Sequence, residues 1–474
     1  MKALAAGFAL ALALVLVLTP LVRRVALRLG ALDPFSARKA VRPPQVPRLG
    51  GVGIALSFYA ALGLVRLAGS TLAHQALVDE APLRLILLGG LPILGLGIVD
   101  DLRGLPARTK LAVQAAVGAL LWAGGLRVLS ASSPLGAIEL PAVLSAVVTV
   151  AWLIGVTNAV NLIDGLDGLA SGVALFALGT ATVAAAARGD LLSALLTGTL
   201  AGAVLGFLRF NWAPATILMG DAGSLFLGYL LAALSIWSVR KAATAVLVVF
   251  PVVALGLPLL DTSLTISRRL LAGRPVMQAD RDHVHHRALG RMLGVRRAVL
   301  FLYGACAVFA LLSLGMVLGG PLVSRGSLLG ALGFAVLLSW WLGYLRGGPS
   351  GLPFALKRRR RTRELLQRLD RLTLVLERCA DRAATEAAIT DGVARFSAEL
   401  GVPLRLELAG TAPPPLGPGQ TAYPVGAGST VHGYLVVERA ESALDPDERT
   451  LLQLLCDAVG AACQRGAAAS GPAQ

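Results

Sequence analysis

The stretch Asn158-Ala-Val-Asn161-Leu-Ile-Asp164-Gly-Leu-Asp167-Gly-Leu-Ala170 decides how this chain is read. It begins where the apolar run 140–157 ends. Its polar side chains Asn158, Asn161, Asp164 and Asp167 recur at every third position, so an unbroken helix would carry them as a slowly winding stripe on one side. The residues between them are mostly Leu, Ile, Val and Gly, which can pack against an apolar body. Asn and Asp supply oxygens suited to a hard cation or a sugar-phosphate ligand. An Asp/Asn-Gly turn is the plainer reading. A calcium loop would need the D-x-D spacing, which is absent here. Carboxylates set between two apolar spans need a reason, and function is the default one.

Composition makes the apolar setting general. Hydrophobic residues form 56% of the 474-residue chain and charged ones 15%, with a mean hydropathy of +0.73. Soluble domains are closer to half apolar and a quarter charged, so the chain reads as an all-α polytopic membrane protein. The net charge of +16 is no nucleic-acid signal, because Lys and Arg sit mostly in loops between apolar runs. The first run lacks an A-x-A-like cleavage site with a polar start after it, and is read as a retained span. Four cysteines (Cys306, Cys379, Cys456, Cys463) show no paired spacing, which fits reduced thiols on the cytoplasmic side.

Eleven apolar runs approach the roughly 20 residues a hydrocarbon core requires. They centre on 3–22, 49–65, 84–98, 111–125, 140–157, 168–187, 191–208, 222–238, 242–260, 298–318 and 327–345. The first loop carries Arg23, Arg24, Arg28, Arg38, Lys39, Arg42 and Arg48 and should be cytoplasmic; the next, 69–82, has Asp79 and Glu80 without Lys or Arg and should face outward. Alternation then puts the loops 100–110, 158–167, 207–224 and 261–297 on the cytoplasmic side, with everything after residue 346. The outer turn Val239-Arg240-Lys241 runs against that scheme. A bacterial inner membrane, with site and C-terminus cytoplasmic, is the expected location.

Composition changes after residue 346, dividing the chain into a membrane domain 1–346, a basic and amphipathic helical linker 347–379, a small α+β domain 380–465 and a disordered tail 466–474. Lys357–Arg361 would sit at an anionic leaflet. Leu365, Leu369, Leu372, Leu376 and Cys379 follow a 4-3-4-3 spacing, either a coiled-coil-like seam or an amphipathic helix on its own domain. Leu404–Leu408 and Gly433–Val437 read as strands, 411–420 as a Pro/Gly loop and 445–464 as a closing helix. This order, with Gly433-Tyr-Leu-Val-Val-Glu-Arg439, resembles the end of a GAF-type sensor domain.

Three further loops carry chemistry. Asp100-Asp101 follow an apolar run directly; adjacent carboxylates at a membrane boundary repel each other and need a cation, unless they simply open a solvated loop. Lys110 and Arg108 follow, as phosphate-binding charge or as snorkelling side chains. Met219-Gly-Asp221-Ala-Gly-Ser224 offers a lone carboxylate for a hard cation, or a helix N-cap. The loop 261–297 holds Asp261, Arg281, His283, His285, His286 and Arg287 among others. His-x-His-His alone suggests a transition metal, but dense Arg argues for an anion, such as a diphosphate. Carboxylates for Mg²⁺ beside a basic, His-rich arm are the equipment of phosphoryl transfer.

Pro47-Arg-Leu-Gly-Gly51, Asp100-Asp101, Asn158 through Ala170, Gly220-Asp221-Ala-Gly-Ser224 and Asp280-Arg-Asp-His283-Val-His285-His286-Arg287 together resemble the polyprenyl-phosphate N-acetylhexosamine-1-phosphate transferases of the MraY/WecA type, in order and spacing, over about residues 1–345. The resemblance implies ten or eleven transmembrane helices and transfer of a sugar 1-phosphate from a UDP-sugar to undecaprenyl phosphate, releasing UMP, with Mg²⁺ or alternatively Mn²⁺. It gives Asp221 the metal with Asp101 near it, and Asp100 the lipid phosphate. Asn158, Asn161, Asp164 and Asp167 would hold the nucleotide or sugar phosphate, Arg281, His283, His285 and His286 the diphosphate or sugar, and Lys110 a phosphate. An Asp acting as covalent nucleophile is the other mechanism. His-Val-His-His-Arg, in place of a His-His-His run, points to the UDP-GlcNAc branch. A homodimer is allowed, and nucleic acid is not expected. A transporter would place its charges at the membrane midplane in broken helices; a sensor would make the last hundred residues the point of the chain.

Overall fold

In the computed structural model, residues 1–32, 46–133, 136–240, 246–271, 283–292, 294–345, 352–379, 382–408, 413–427, 430–441, 444 and 446–469 are described. They form two compact units, one of residues 1–270 and 275–346, the other of 271–274 and 347–474.

The apolar runs become helices because their backbone has no other way to satisfy itself in lipid. The first unit contains α1 (Lys2–Arg28), α2 (Gly50–Leu67), a short α3 (Thr71–His74) running into a π-turn (Gln75–Asp79), α4 (Ala81–Arg103) and α5 (Ala107–Ala123). A hairpin follows, β1 (Ser130–Ser133) with β2 (Gly136–Glu139), then α6 (Ala142–Ile163), α7 (Leu169–Ala187), α8 (Leu191–Asn211) and α9 (Gly220–Arg240). The unit closes with α10 (Val246–Ala254), α11 (Gly256–Leu271), α12 (Val284–Arg291), α13 (Val295–Leu318) and α14 (Pro321–Trp341). Among the described residues nine helices are long and apolar enough to cross a membrane. The difference from eleven has two local causes. The fourth run yields α5, whose 17 residues span only about 26 Å. The ninth breaks after the 9-residue α10 at Leu255, where α11 starts.

Burial sorts these helices. The apolar window of α9 is 89% buried and that of α8 83%, against 22% in α1 and α14, so α8 and α9 are the hub and α1 and α14 the periphery. Leu311, Leu322, Leu329 and Val143 stand fully outward on the bundle, an arrangement suited to lipid and not to water. Glycines set the closest approaches: a Cβ on Gly202 of α8 would collide with the Phe8 carbonyl of α1.

In the second unit α15 (Leu352–Arg378) and α16 (Arg382–Leu400) precede an antiparallel sheet of β3 (Leu404–Glu407), β4 (Thr421–Ala427) and β5 (Thr430–Val437), in the order β3-β5-β4, and α17 (Pro446–Ala469) follows it. Leu365, Leu369 and Leu376 of α15 lie in one core with Phe396, Leu435 and Leu455. The 4-3-4-3 spacing therefore marks a helix packed on its own domain, and α15 belongs to the folded unit and is not a linker. Arg361 serves that packing too, donating to the Leu400 carbonyl at the end of α16. β4 has no counterpart in the sequence reading; Pro424 hides it, and a strand with proline belongs at an edge, as here. The tail expected from 466 continues α17 to Ala469. All four cysteines are free, and burial pushes the Cys456 thiol up to about 12, leaving it inert at neutral pH.

Candidate active site

The backbone is built first. Leu49 holds a left-handed conformation (φ 72°), unusual for a branched side chain, and its neighbours keep it there. Arg48 N–H donates to the Ala31 carbonyl (2.8 Å), Gly50 N–H to Leu218 (2.9 Å) and Gly51 N–H to Met219 (2.9 Å), while Leu218 N–H donates to Pro47 (2.8 Å). This ladder ties the segment before α2 to the segment before α9. A Cβ on Gly51 would collide with the Gly223 backbone, and one on Gly97 of α4 with Ala222. The Pro-Arg-Leu-Gly-Gly motif is thus a clamp around the start of α9.

Into that start reaches Asp101, buried at the end of α4. Its Oδ1 accepts from Asp221 N–H (2.9 Å) and its Oδ2 from Ala222 N–H (3.0 Å). One carboxylate caps another helix, where the positive end of the helix dipole favours it. Gly220, at φ 71°, makes room, since a Cβ there would strike the Asp101 carboxylate. The Asp221 side chain is left to point elsewhere. Lys110 Nζ donates to Asp221 Oδ2 (2.9 Å) and to Asp100 Oδ2 (3.0 Å), so two carboxylates from α4 and α9 converge on one cationic position. Leu105 N–H holds the other Asp100 oxygen (2.6 Å).

The polar stripe of the deciding stretch is interrupted. α6 ends at Ile163, and the chain turns through Asp164 to Gly168 (φ 78°) before α7. Asn161 Nδ2 donates to Ser224 Oγ (2.8 Å), which itself caps back to the Gly220 carbonyl (3.0 Å). Asn161 and Asp164 line a cleft of about 70 Å³ together with Arg48, Asn211, Gly220 and Asp221. Asn158 instead donates to Gln114 of α5 (2.6 Å), and buried Asp167 accepts from Ala215 N–H (3.0 Å), bracing the loop that leads into α9.

The histidines meet this turn from the side. His283 precedes α12, and His285 and His286 lie on its first turn. The His283 and His285 rings are parallel, with centroids 5.7 Å apart; those of His285 and His286 are 4.3 Å apart. The His285 ring lies against Gly165, where any Cβ would meet it. Arg287 donates to the Leu342 carbonyl (3.3 Å) and stacks on Tyr344, 3.8 Å from the ring centre. Arg281 falls outside the described residues. Asp100, Asp101, Lys110, Asn161, Asp164, Asp221 and the three histidines thus gather at one end of the bundle. Three residues to which the sequence reading gave no role in the site join them. Arg48 sits within a quoted motif, buried Asn211 joins Ser171 to the Ile217 carbonyl, and Asp261 holds α12. For Asp261 the signal was there, a lone carboxylate closing an apolar run.

A divalent ion would suit part of this set. Asp100 and Asp221 aim hard oxygen donors at one point, which an ammonium now fills. Among the described residues no group of three His, Cys, Asp or Glu side chains is arranged to hold a metal. Two carboxylates with the remaining positions left to water and substrate phosphate match Mg²⁺ better than a closed cage.

Buried carboxylates, a bridging lysine and stacked imidazoles at one end of a multi-pass helical bundle define a membrane enzyme of the phosphate-handling kind. Residues 83–239 match the family described as Glycosyl transferase family 4. A probable undecaprenyl-phosphate N-acetylglucosaminyl 1-phosphate transferase of Bacillus subtilis is 36% identical over 312 residues, covering 64% of this chain and 82% of that protein. A decaprenyl-phosphate N-acetylglucosaminephosphotransferase of Mycobacterium tuberculosis is 33% identical over 334 residues, 66% of this chain and 82% of that one. A phospho-N-acetylmuramoyl-pentapeptide-transferase of Streptococcus pyogenes is 35% identical over 206 residues, 40% and 58% respectively. The chain belongs to the polyprenyl-phosphate N-acetylhexosamine-1-phosphate transferase family.

Proposed function

We propose that this protein transfers a sugar 1-phosphate from a UDP-sugar, UDP-GlcNAc first among them, to a polyprenyl phosphate such as undecaprenyl phosphate, in building a cell-envelope glycan. The observation that carries the reading is the shared cation position between Asp100 and Asp221, together with the histidine-bearing α12 packed on the turn that carries Asp164. An oxygen of the lipid phosphate forms a bond to the β-phosphorus of the donor, the bond from that phosphorus to the bridging oxygen breaks, and UMP leaves. Asp100 orients the attacking phosphate or takes its proton, and Lys110 neutralises phosphate oxygens. Asn161 and Asp164 hold the nucleotide sugar, with His283, His285 and His286 on its diphosphate. Asp100 and Asp221 would hold Mg²⁺, with Asp101 behind them; when bound, the ion neutralises developing phosphate charge.

The arginine-rich first loop supports a cytoplasmic site, where UDP-sugars are found, in a bacterial inner membrane. The two relatives matched over 82% of their length both carry N-acetylglucosamine in their names, which supports GlcNAc as the sugar. The test is UMP release by purified protein given undecaprenyl phosphate and, separately, UDP-GlcNAc, UDP-GalNAc and the UDP-muramyl-pentapeptide, with and without Mg²⁺. Release from UDP-GlcNAc alone is the expected result. No release from any donor would remove the reading.

A further inference from the structure

α11 carries an inverted pattern. Leu257, Asp261, Thr265 and Arg269 recur every four residues along the buried side of the helix, so its inward face is largely polar. Burying a carboxylate is costly unless it is hydrogen-bonded, and Asp261, 1% exposed, spends its oxygens on the segment bearing the histidines. Its Oδ1 accepts from Val284 N–H at 2.9 Å, the first amide of α12. Its carboxylate also lies 3.3 to 3.4 Å from His283 Nδ1, with Thr265 Oγ1 at 3.5 Å on the same nitrogen.

The chemistry fixes the direction of that contact. An ionised carboxylate only accepts, so a hydrogen bond between the two places a proton on His283 Nδ1. His283 stacks parallel on His285, and His285 lies against Gly165 in the turn that carries Asp164. Asp261 therefore stands at the root of a chain of contacts that runs through His283 and His285 to the turn carrying Asp164.

We propose that Asp261 is a positioning residue for the nucleotide-sugar donor: by capping α12 and holding His283 through Nδ1, it sets the histidines where they meet the donor's diphosphate. The proposal rests on the transferase reading given above. Because Asp261 acts through the histidines, its loss weakens use of the donor and leaves use of the lipid acceptor alone.

The experiment compares full-length wild type with Asp261→Ala, Asp261→Asn and Thr265→Val in detergent. UDP-GlcNAc and undecaprenyl phosphate are varied in turn, and hydrogen exchange of the α12 amides is followed in the same samples. Asp261→Ala should raise the donor KM roughly tenfold to a hundredfold, the range expected when a reacting group is displaced by about 1 Å. The acceptor KM should stay within about twofold. Asp261→Asn keeps one oxygen for Val284 but turns an N–H₂ toward His283, and should fall between wild type and Asp261→Ala, with Thr265→Val milder still. The α12 amides should exchange at least tenfold faster in Asp261→Ala, with those of α8 unchanged. A donor KM equal to wild type in Asp261→Ala overturns the proposal, as does a parallel rise in both KM values. Should Asp261→Ala not yield folded protein, wild-type donor KM in Asp261→Asn overturns it. Wild type that releases no UMP from any UDP-sugar sinks the transferase reading instead. The exchange of α12 then still decides whether Asp261 holds the helix, and unchanged exchange refutes that role.

Discussion

At the scale of single residues, three acidic side chains with the same functional group are separated by what they touch. Asp101 has both oxygens on the backbone of α9, so its work is to place Asp221. Asp100 and Asp221 each turn an oxygen to the same ammonium, and that is where substrate charge and a metal ion would compete. Asp221→Asn keeps shape and hydrogen-bonding capacity while removing the charge. We expect UMP release to fall about a hundredfold or more, as when a principal electrostatic contact to the transition state is lost, with membrane insertion and yield as in wild type. Near-normal turnover would take Asp221 out of the metal role. Lys110→Met removes the bridging charge and keeps the stem, leaving two carboxylates facing each other unneutralised. Such a protein should melt lower than wild type without Mg²⁺ and gain more from added Mg²⁺, because no ammonium then contests the position. An equal gain in both proteins would mean that lysine and ion do not share it.

At the scale of elements, the site depends on how closely helices and turns approach, and glycine sets that distance. Gly165 lies under the His285 ring, whereas Gly155 in α6 has open space around it. Gly165→Ala should push α12 off the Asp164 turn and cut turnover roughly tenfold or more. Gly155→Ala should leave turnover unchanged and the fold as stable or slightly more so; equal behaviour of the two variants would contradict the contact. This scale also marks what the sequence could carry. The helical bundle and the clustering of motif residues were legible, though not the number of full-length spans, because twenty apolar residues in a row have few fates and charges at span ends need partners. That Asn161 and Asp164 face the cleft while Asn158 and Asp167 turn to Gln114 and Ala215 was not legible. The stripe argument assumed a continuous helix, and the chain turns after Ile163. The pairing of Asp221 with Asp100 and not with Asp101 was equally hidden. Neighbours in sequence on a helix point about 100° apart, and nothing in the sequence says which of the two meets α9. β4 was missed for a plainer reason, a proline in an edge strand.

At the scale of the whole molecule, the two units have separate cores, one centred on α8 and α9 and the other on Leu435, Leu455 and Phe396. Every site residue described above belongs to the first unit, including Asp261 and the histidines of α12. A chain ending at Arg346 therefore retains all the groups that bind and react, and loses a unit that has a core of its own. We expect the truncated protein to release UMP at a rate within about fivefold of full length, measured per mole of folded protein recovered from membranes. Leu369→Ala in the full chain separates the alternatives if yield falls. It opens a cavity in the second core and should cost that unit about 2–5 kcal/mol without touching a site residue. Transferase activity that survives both changes makes the first unit sufficient for catalysis. Activity lost in both, with the first unit still folded, would mean that the second unit is required for turnover, and the division of labour drawn from the two cores would be mistaken.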